Sequence, residues 1–87
     1  MVSKTMIIKN PQGLHMRPAA LISKEMENFP CSVRIVYKEK NVNAKSLINI
    51  LSAGIKQNAE VTFECDGDLE EEALAKIDEL ASQNWGD

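Results

Sequence analysis

The sequence has few of the residues on which metal and redox chemistry depend: one histidine and two cysteines among 87 residues. Cys31 and Cys65 lie far apart, with no Cys-x-x-Cys motif and no second histidine. Neither a zinc site nor a disulfide framework is therefore predicted. We expect two reduced, partly buried thiols, no metal site and no bound cofactor.

Long apolar runs and a surplus of basic residues are also absent. The run Met6-Ile7-Ile8 is too short for a signal-peptide core or a membrane span, so we expect a cytoplasmic protein without membrane insertion. The net charge is -3 at pH 7, and no basic stripe carries interleaved aromatic residues, so direct binding to nucleic acid is not expected. A length of 87 residues, 44% of them hydrophobic, predicts one folded domain over residues 1–87.

Alternating apolar residues predict four strands. Three of them cover Thr5–Ile8, Ser32–Tyr37 and Glu60–Cys65. A weaker strand covers residues 41–44, around Val42, and a hairpin through Lys38-Glu39-Lys40 joins it to the strand before it.

Apolar residues at three- and four-residue steps predict the helices. The first covers residues 16–28 and is ended by Pro30. A short second helix is capped by Ser46 and ended by Gly54. The third begins at a capping box formed by Asp68 and Glu71. The apolar face of this third helix consists of Ala73, Leu74, Ile77, Leu80 and Ala81.

The resulting order βαββαβα predicts an α+β fold. Helices on one face of an antiparallel sheet would cover its apolar side and leave the other face in water. We therefore expect an open-faced β-sandwich, with a four-stranded antiparallel sheet covered on one face by three helices.

The sole histidine lies where turn-forming residues lead into the first helix, in the segment Asn10-Pro11-Gln12-Gly13-Leu14-His15-Met16-Arg17-Pro18-Ala19-Ala20. Pro18 has no N–H and is tolerated in a first helical turn, so the helix is predicted to begin at His15 or Met16, with free amides beside the imidazole. These amides, the helix dipole and Arg17 could hold a phosphate on His15. Their positive potential is expected to keep the ring neutral near pH 7. A lone histidine near a turn is also a common surface or capping residue, and the residues alone leave both interpretations open.

The segment Gly13-Leu14-His15-Met16-Arg17-Pro18-Ala19-Ala20 closely resembles the active-site signature of the HPr family. Members of this family are the histidine-containing phosphocarriers of the bacterial phosphoenolpyruvate:sugar phosphotransferase system. The segments Asn43-Ala44-Lys45-Ser46-Leu47 and Ser52-Ala53-Gly54-Ile55 resemble the family's regulatory region. The resemblance covers essentially the whole chain, as a single HPr domain, and the element order fits the family's open-faced fold.

The resemblance implies a phosphoryl carrier that forms a phosphohistidine and is not itself an enzyme. His15 would accept the phosphoryl group on Nδ1 from phosphorylated enzyme I and donate it to the IIA domains of sugar permeases, with Arg17 stabilising the phosphate. Because such a carrier docks its partners through one face, we expect a monomer. The implied docking face consists of Ala20, Lys24, Leu47, Ile48 and Leu51.

Ser46 matches the family position that an HPr kinase/phosphorylase modifies in Gram-positive bacteria, where the phosphoserine form binds catabolite control protein A. Capping of a helix and modification are compatible roles, because phosphate is favoured at a helix N-terminus. An alternative is an HPr paralogue that acts mainly as a regulatory co-effector through Ser46. Met16 departs from the family's small or hydroxyl residue and could narrow access to the phosphate; Asn49 and Ala53 depart from the pattern too.

Overall fold

The helices and strands follow one another in the predicted order βαββαβα in the computed structural model, which describes residues 1–87. The α+β class and the four-stranded antiparallel sheet with three helices are confirmed. No helix has both the length and the apolar character needed to cross a membrane. The elements are β1 (Val2–Ile7), α1 (Met16–Met26), β2 (Ser32–Tyr37), β3 (Lys40–Asn43), α2 (Leu47–Ser52), β4 (Glu60–Asp66), α3 (Glu70–Ser82) and a 3₁₀ turn (Asn84–Gly86).

The strand order across the sheet is β1-β4-β2-β3, and all three pairs are antiparallel. In β4, one of the two central strands, Val61, Phe63 and Cys65 are buried, whereas Thr62 and Glu64 are only partly covered. This alternation places one face of the sheet against the helices and turns the other towards solvent.

The core extends beyond the predicted elements to the end of the chain. Phe63, in the centre of the sheet, stacks on Trp85 with ring centroids 5.4 Å apart. Trp85 is buried and belongs to the 3₁₀ turn, which sequence reasoning did not predict. The turn packs against both α1 and α3, so burial of this aromatic ring fixes the C-terminal residues close to the start of α1.

Several predicted boundaries were wrong. β1 begins at Val2 and ends at Ile7, although the Ile8 N–H still donates to the Ala59 carbonyl at 2.9 Å. β3 begins and ends one residue earlier than predicted. α1 ends at Met26. The Glu27 N–H still donates to the Ser23 carbonyl four residues back, whereas the amides of Asn28 and Phe29 donate three residues back, so tighter turns close the helix before Pro30.

The capping box predicted at Asp68 and Glu71 is wrong, because α3 has no side-chain cap. Leu69 occupies the N-cap position with φ +63° and makes no side-chain cap. The carboxylate of Glu70, the first helical residue, instead accepts from the Gly67 N–H at 3.0 Å, in the turn that precedes the helix. The two thiols are also more deeply placed than expected, since Cys31 and Cys65 are both fully buried and free.

Candidate functional site

His15 is the N-cap residue of α1. Its backbone is extended, and its carbonyl accepts the Ala19 N–H at 3.0 Å, so the helix begins at Met16 as predicted. The preceding loop is held by Gly13, which has φ +65°, and by the Leu14 N–H, which donates to the Ile55 carbonyl at 3.0 Å. A β-carbon on Gly13 would lie 2.2 Å from that same carbonyl oxygen, so the loop geometry requires glycine.

The start of α1 presents unsatisfied donors next to the imidazole. The amides of Met16 and Arg17 have no acceptor in the chain, and Pro18 has no N–H. The Arg17 side chain is exposed and forms no ion pair. Two free amides and the positive end of the helix dipole therefore lie beside the ring, and the Arg17 guanidinium two residues along the chain is unpaired, a combination that favours an anion.

The imidazole also contacts an acidic side chain that the sequence did not predict. His15 Nε2 lies 2.9 Å from Asp87 Oδ2, with 32% and 22% of the two side chains exposed. Because an ionised carboxylate can only accept, Nε2 carries the proton and donates it. The positive groups predicted around His15 are therefore joined by one acidic side chain that was not predicted. The other nitrogen, Nδ1, has no hydrogen-bond partner in the chain.

Asn10 holds the Asp87 carboxylate in place. Its side chain is fully buried, and its amide donates to the Asn84 carbonyl at 2.9 Å and to Asp87 Oδ2 at 3.0 Å. Hydrogen bonds from His15 and then Asn10 hold the pKa of the Asp87 carboxyl below its usual value. Hydrogen bonds thus link Asn10 to Asp87 and Asp87 to His15, although Asp87 is far from the other two residues in the sequence.

The residues of the predicted docking face fall into two groups. Ala20 and Lys24 line a groove of about 270 Å³ together with Arg17, Leu21, Trp85 and Gly86. Leu47 and Leu51 are half-buried on α2, which packs against α1. Ile48 is 70% exposed, and Met16 is 58% exposed. The α2 residues do not line the groove, so an apolar surface and a basic groove together make up the predicted face.

Ser46 is the N-cap of α2, as predicted. Its hydroxyl accepts from the Asn49 backbone amide at 3.2 Å and from the Asn49 side-chain amide at 3.0 Å. Gly54, with φ +64°, follows the C-cap residue Ala53. The hydroxyl therefore satisfies one free amide of a six-residue helix and remains partly accessible.

The chain holds no group of three histidine, cysteine, aspartate or glutamate side chains that could bind a metal ion.

Residues 2–83 match the protein family described as "PTS HPr component phosphorylation site". The chain belongs to the HPr family. The phosphocarrier protein HPr of Mycoplasma genitalium is 39% identical over 79 residues, which cover 90% of each chain. An HPr crystal structure from Thermoanaerobacter tengcongensis has a TM-score of 0.94 and 38% identity, covering 100% of this chain and 98% of that one.

The HPr fold also occurs in Crh, described as the catabolite repression containing protein of Bacillus subtilis and as a swapped dimer. Crh has a TM-score of 0.72 and 32% identity, and the match covers 99% of this chain and 94% of that one. Family membership makes the chain an HPr phosphocarrier of the phosphotransferase system, working in a relay with other proteins of that system.

Sequence reasoning missed Asp87 and the role of Asn10 in this HPr chain. Asp87 lies 72 positions after His15, so no local spacing could join them. The available signal was Trp85, the only tryptophan, followed by Gly86. A large aromatic residue near a chain end indicates that the terminal segment packs on the core, although not what it contacts there.

Proposed function

We propose that His15 Nδ1 accepts a phosphoryl group from phosphorylated enzyme I and donates it to the IIA domains of sugar permeases. The observation that carries this proposal is the position of His15 as N-cap of α1, beside the free amides of Met16 and Arg17. Nδ1 is the ring nitrogen without a partner, so its lone pair is available for attack. The proposed carrier acts as a cytoplasmic monomer.

The transfer needs little from this chain beyond position and charge. The Nδ1 lone pair forms a bond to phosphorus while the bond between phosphorus and the donor atom breaks, with its electron pair left on the donor. The free amides and Arg17 then offset the charge of the phosphoryl oxygens. The reverse step at an IIA domain uses the same contacts.

The partners are proposed to dock on the face formed by Ala20, Lys24, Leu47, Ile48 and Leu51. Ile48 supports this role, because a large apolar side chain that is mostly exposed to water, next to other apolar residues, is typical of an interaction surface. Lys24 and Arg17 border the groove beside α1 and would attract an acidic partner.

Phosphorylation with purified enzyme I tests the carrier role directly. Incubation with phosphoenolpyruvate and enzyme I is expected to give one acid-labile phosphoryl group on the wild type and none on His15→Ala. Addition of a IIA domain should then remove the label. Failure of the wild type to acquire any label would overturn the proposal.

The alternative function is that of a regulatory co-effector acting through Ser46, modified by an HPr kinase/phosphorylase and recognised by catabolite control protein A. The partly accessible Ser46 hydroxyl and the similarity to Crh support it. Phosphate at this N-cap would meet a favourable helix dipole while adding negative charge beside Leu47 and Ile48, which would weaken docking of an acidic partner.

Incubation with HPr kinase and ATP tests this second role. We expect acid-stable label on the wild type and none on Ser46→Ala. Label that persists in Ser46→Ala would place the modification at another residue. A wild type that acquires label from the kinase but none from enzyme I would favour the regulatory function over the carrier function.

A further inference from the structure

We infer that Asp87 is a positioning residue that holds His15 in the Nε2–H tautomer and stabilises the positive charge that the ring gains when Nδ1 binds phosphorus. Asn10 and the C-terminal turn, which is the 3₁₀ turn Asn84–Gly86, hold the Asp87 carboxylate beside the ring. The inference rests on the proposed carrier function of His15 and deepens it, because it assigns a role to the side of the ring that faces away from the phosphate.

The hydrogen bond between the two side chains decides which nitrogen can react. Asp87 Oδ2 is 2.9 Å from His15 Nε2 and can only accept, so the proton stays on Nε2. In a neutral imidazole the other nitrogen then has a free lone pair. Nδ1 has no hydrogen-bond partner in the chain, and it is therefore the nucleophile. A carboxylate that fixes a histidine tautomer for nucleophilic chemistry is a recurring arrangement in proteins.

The same carboxylate is placed to offset charge during transfer. When the Nδ1 lone pair forms the bond to phosphorus, the Nε2 proton is retained and the ring becomes a phosphoimidazolium with one positive charge. The bond between phosphorus and its donor breaks, and the electron pair leaves with the donor. Asp87 faces the Nε2 side of the ring, so it stabilises this cation, while the free amides of Met16 and Arg17 at the start of α1 are available to the phosphoryl oxygens.

The C-terminal turn has an unusual backbone that serves this placement. Asn84, Trp85 and Gly86 all have left-handed backbone, with φ of +56°, +55° and +82°. Two of these are not glycine, and such strain persists only where surrounding contacts fix it. Stacking of Trp85 on Phe63 and the bond from Asn10 to the Asn84 carbonyl are those contacts.

Asn10 is oriented by the groups around it. Both of its contacts, the Asn84 carbonyl and Asp87 Oδ2, are acceptors, so the amide nitrogen must face them. The amide oxygen is buried with no partner. Burying a polar atom without a partner costs free energy. The Asn10 amide oxygen is left in this state because the amide nitrogen of the same side chain donates both of its hydrogen bonds to the C-terminal residues.

Nitrogen-15 NMR of the single histidine tests the tautomer without any partner protein. We expect the wild type to hold the Nε2–H form, Asp87→Ala to populate both tautomers, and Asp87→Asn to keep the wild-type form because its side-chain oxygen still accepts. Fluorescence of Trp85 checks that the turn stays docked in each variant. Equal tautomer populations in the wild type and Asp87→Ala would overturn the inference.

The rate of phosphorylation by enzyme I tests whether the negative charge of Asp87 assists transfer to His15. Asp87→Ala and Asp87→Asn are both expected to slow it about fivefold, the size of effect typical of a partly exposed ion pair. Glu71→Gln removes one exposed charge at the far end of α3 and is expected to leave the rate unchanged. Equal slowing in Glu71→Gln, or a wild-type rate in Asp87→Asn, would overturn the charge role.

These measurements separate the inference from the proposed function. A wild type that accepts no phosphoryl group would refute the carrier function, while the tautomer measurement would still report on Asp87. A wild type that is phosphorylated at the same rate as both Asp87 variants would leave the carrier function intact and refute the role of Asp87.

Discussion

The two ring nitrogens of His15 have different surroundings, and this difference determines what the residue can do. Nε2 is engaged by Asp87, whereas Nδ1 has no partner. Because the helix leaves two amides free at the same point, a phosphoryl group on Nδ1 would meet donors already in position. The reactivity of His15 therefore follows from its position as the N-cap of α1 and not from burial of its side chain.

At the same scale, Asp87 is expected to titrate below the ordinary aspartate value of 3.8, because its ionised form accepts hydrogen bonds from His15 and Asn10. A carboxyl with a lowered folded-state pKa stabilises the fold above its unfolded pKa and loses this contribution as pH falls through the folded pKa. Carbon-13 NMR of the side-chain carboxyl measures the midpoint. In His15→Ala the midpoint should move back towards 3.8. A wild-type midpoint at or above 3.8 would contradict the geometry.

At the scale of the element, the loop before α1 depends on one close approach of two backbones. Gly13 and Gly54 have nearly the same left-handed φ, +65° and +64°. A β-carbon on Gly13 would clash with the Ile55 carbonyl at 2.2 Å, whereas one on Gly54 would meet nothing within 4 Å. The two glycines therefore share a conformational requirement and differ in steric surroundings.

These two positions form a matched pair for mutation. Gly54→Ala is expected to lower the free energy of unfolding by about 1 kcal/mol, the cost of a left-handed alanine. Gly13→Ala adds the backbone clash and is expected to cost about 3 kcal/mol or more. Urea denaturation followed by circular dichroism measures both. Equal costs at the two positions would show that the close approach at Gly13 is not a constraint.

The cap of α2 gives a second prediction at this scale. Ser46→Ala removes the acceptor for the Asn49 amide and is expected to lower the free energy of unfolding by about 1 kcal/mol. Ser46→Asp retains a good cap and should preserve stability while changing the charge beside Leu47. Thermal unfolding of the three proteins measures this. A loss in Ser46→Asp as large as that in Ser46→Ala would contradict the capping role.

Sequence patterns predicted those elements whose signals are local. The start of α1 followed from Pro18, and the cap of α2 followed from Ser46. The capping box at Asp68 failed because a left-handed Leu69 shifts the helix start, and no residue pattern required that conformation. The contact of Asp87 with His15 depends on how the whole chain packs. Contacts between residues far apart in the sequence therefore could not be predicted from local spacing.

At the scale of the whole molecule, the proposed partners meet a surface and not a pocket. Ile48→Asp places a charge on this surface and is expected to lower the rate of phosphorylation by enzyme I at least about tenfold. Because Ile48 is 70% exposed, its substitution should change the free energy of unfolding by less than about 0.5 kcal/mol. Rapid-quench phosphorylation and urea denaturation measure the two effects.

Leu69 offers the matched control for Ile48. It is 50% exposed at the start of α3, outside the proposed docking face, and its left-handed backbone tolerates aspartate. Leu69→Asp should therefore leave the phosphorylation rate unchanged. Equal slowing in the two variants would mean that added negative charge, and not the loss of an apolar contact, impairs docking.

The position of the phosphoryl group on the His15 ring tests the carrier function and the role of Asp87 together. Since His15 is the only histidine, labelling with nitrogen-15 histidine gives one labelled imidazole, and phosphorylation by phosphoenolpyruvate and enzyme I can be followed by phosphorus and nitrogen NMR. We expect one phosphorus–nitrogen coupling, to Nδ1, with the proton retained on Nε2. Phosphorus bound to Nε2, or no phosphoryl group on the histidine, would contradict this expectation.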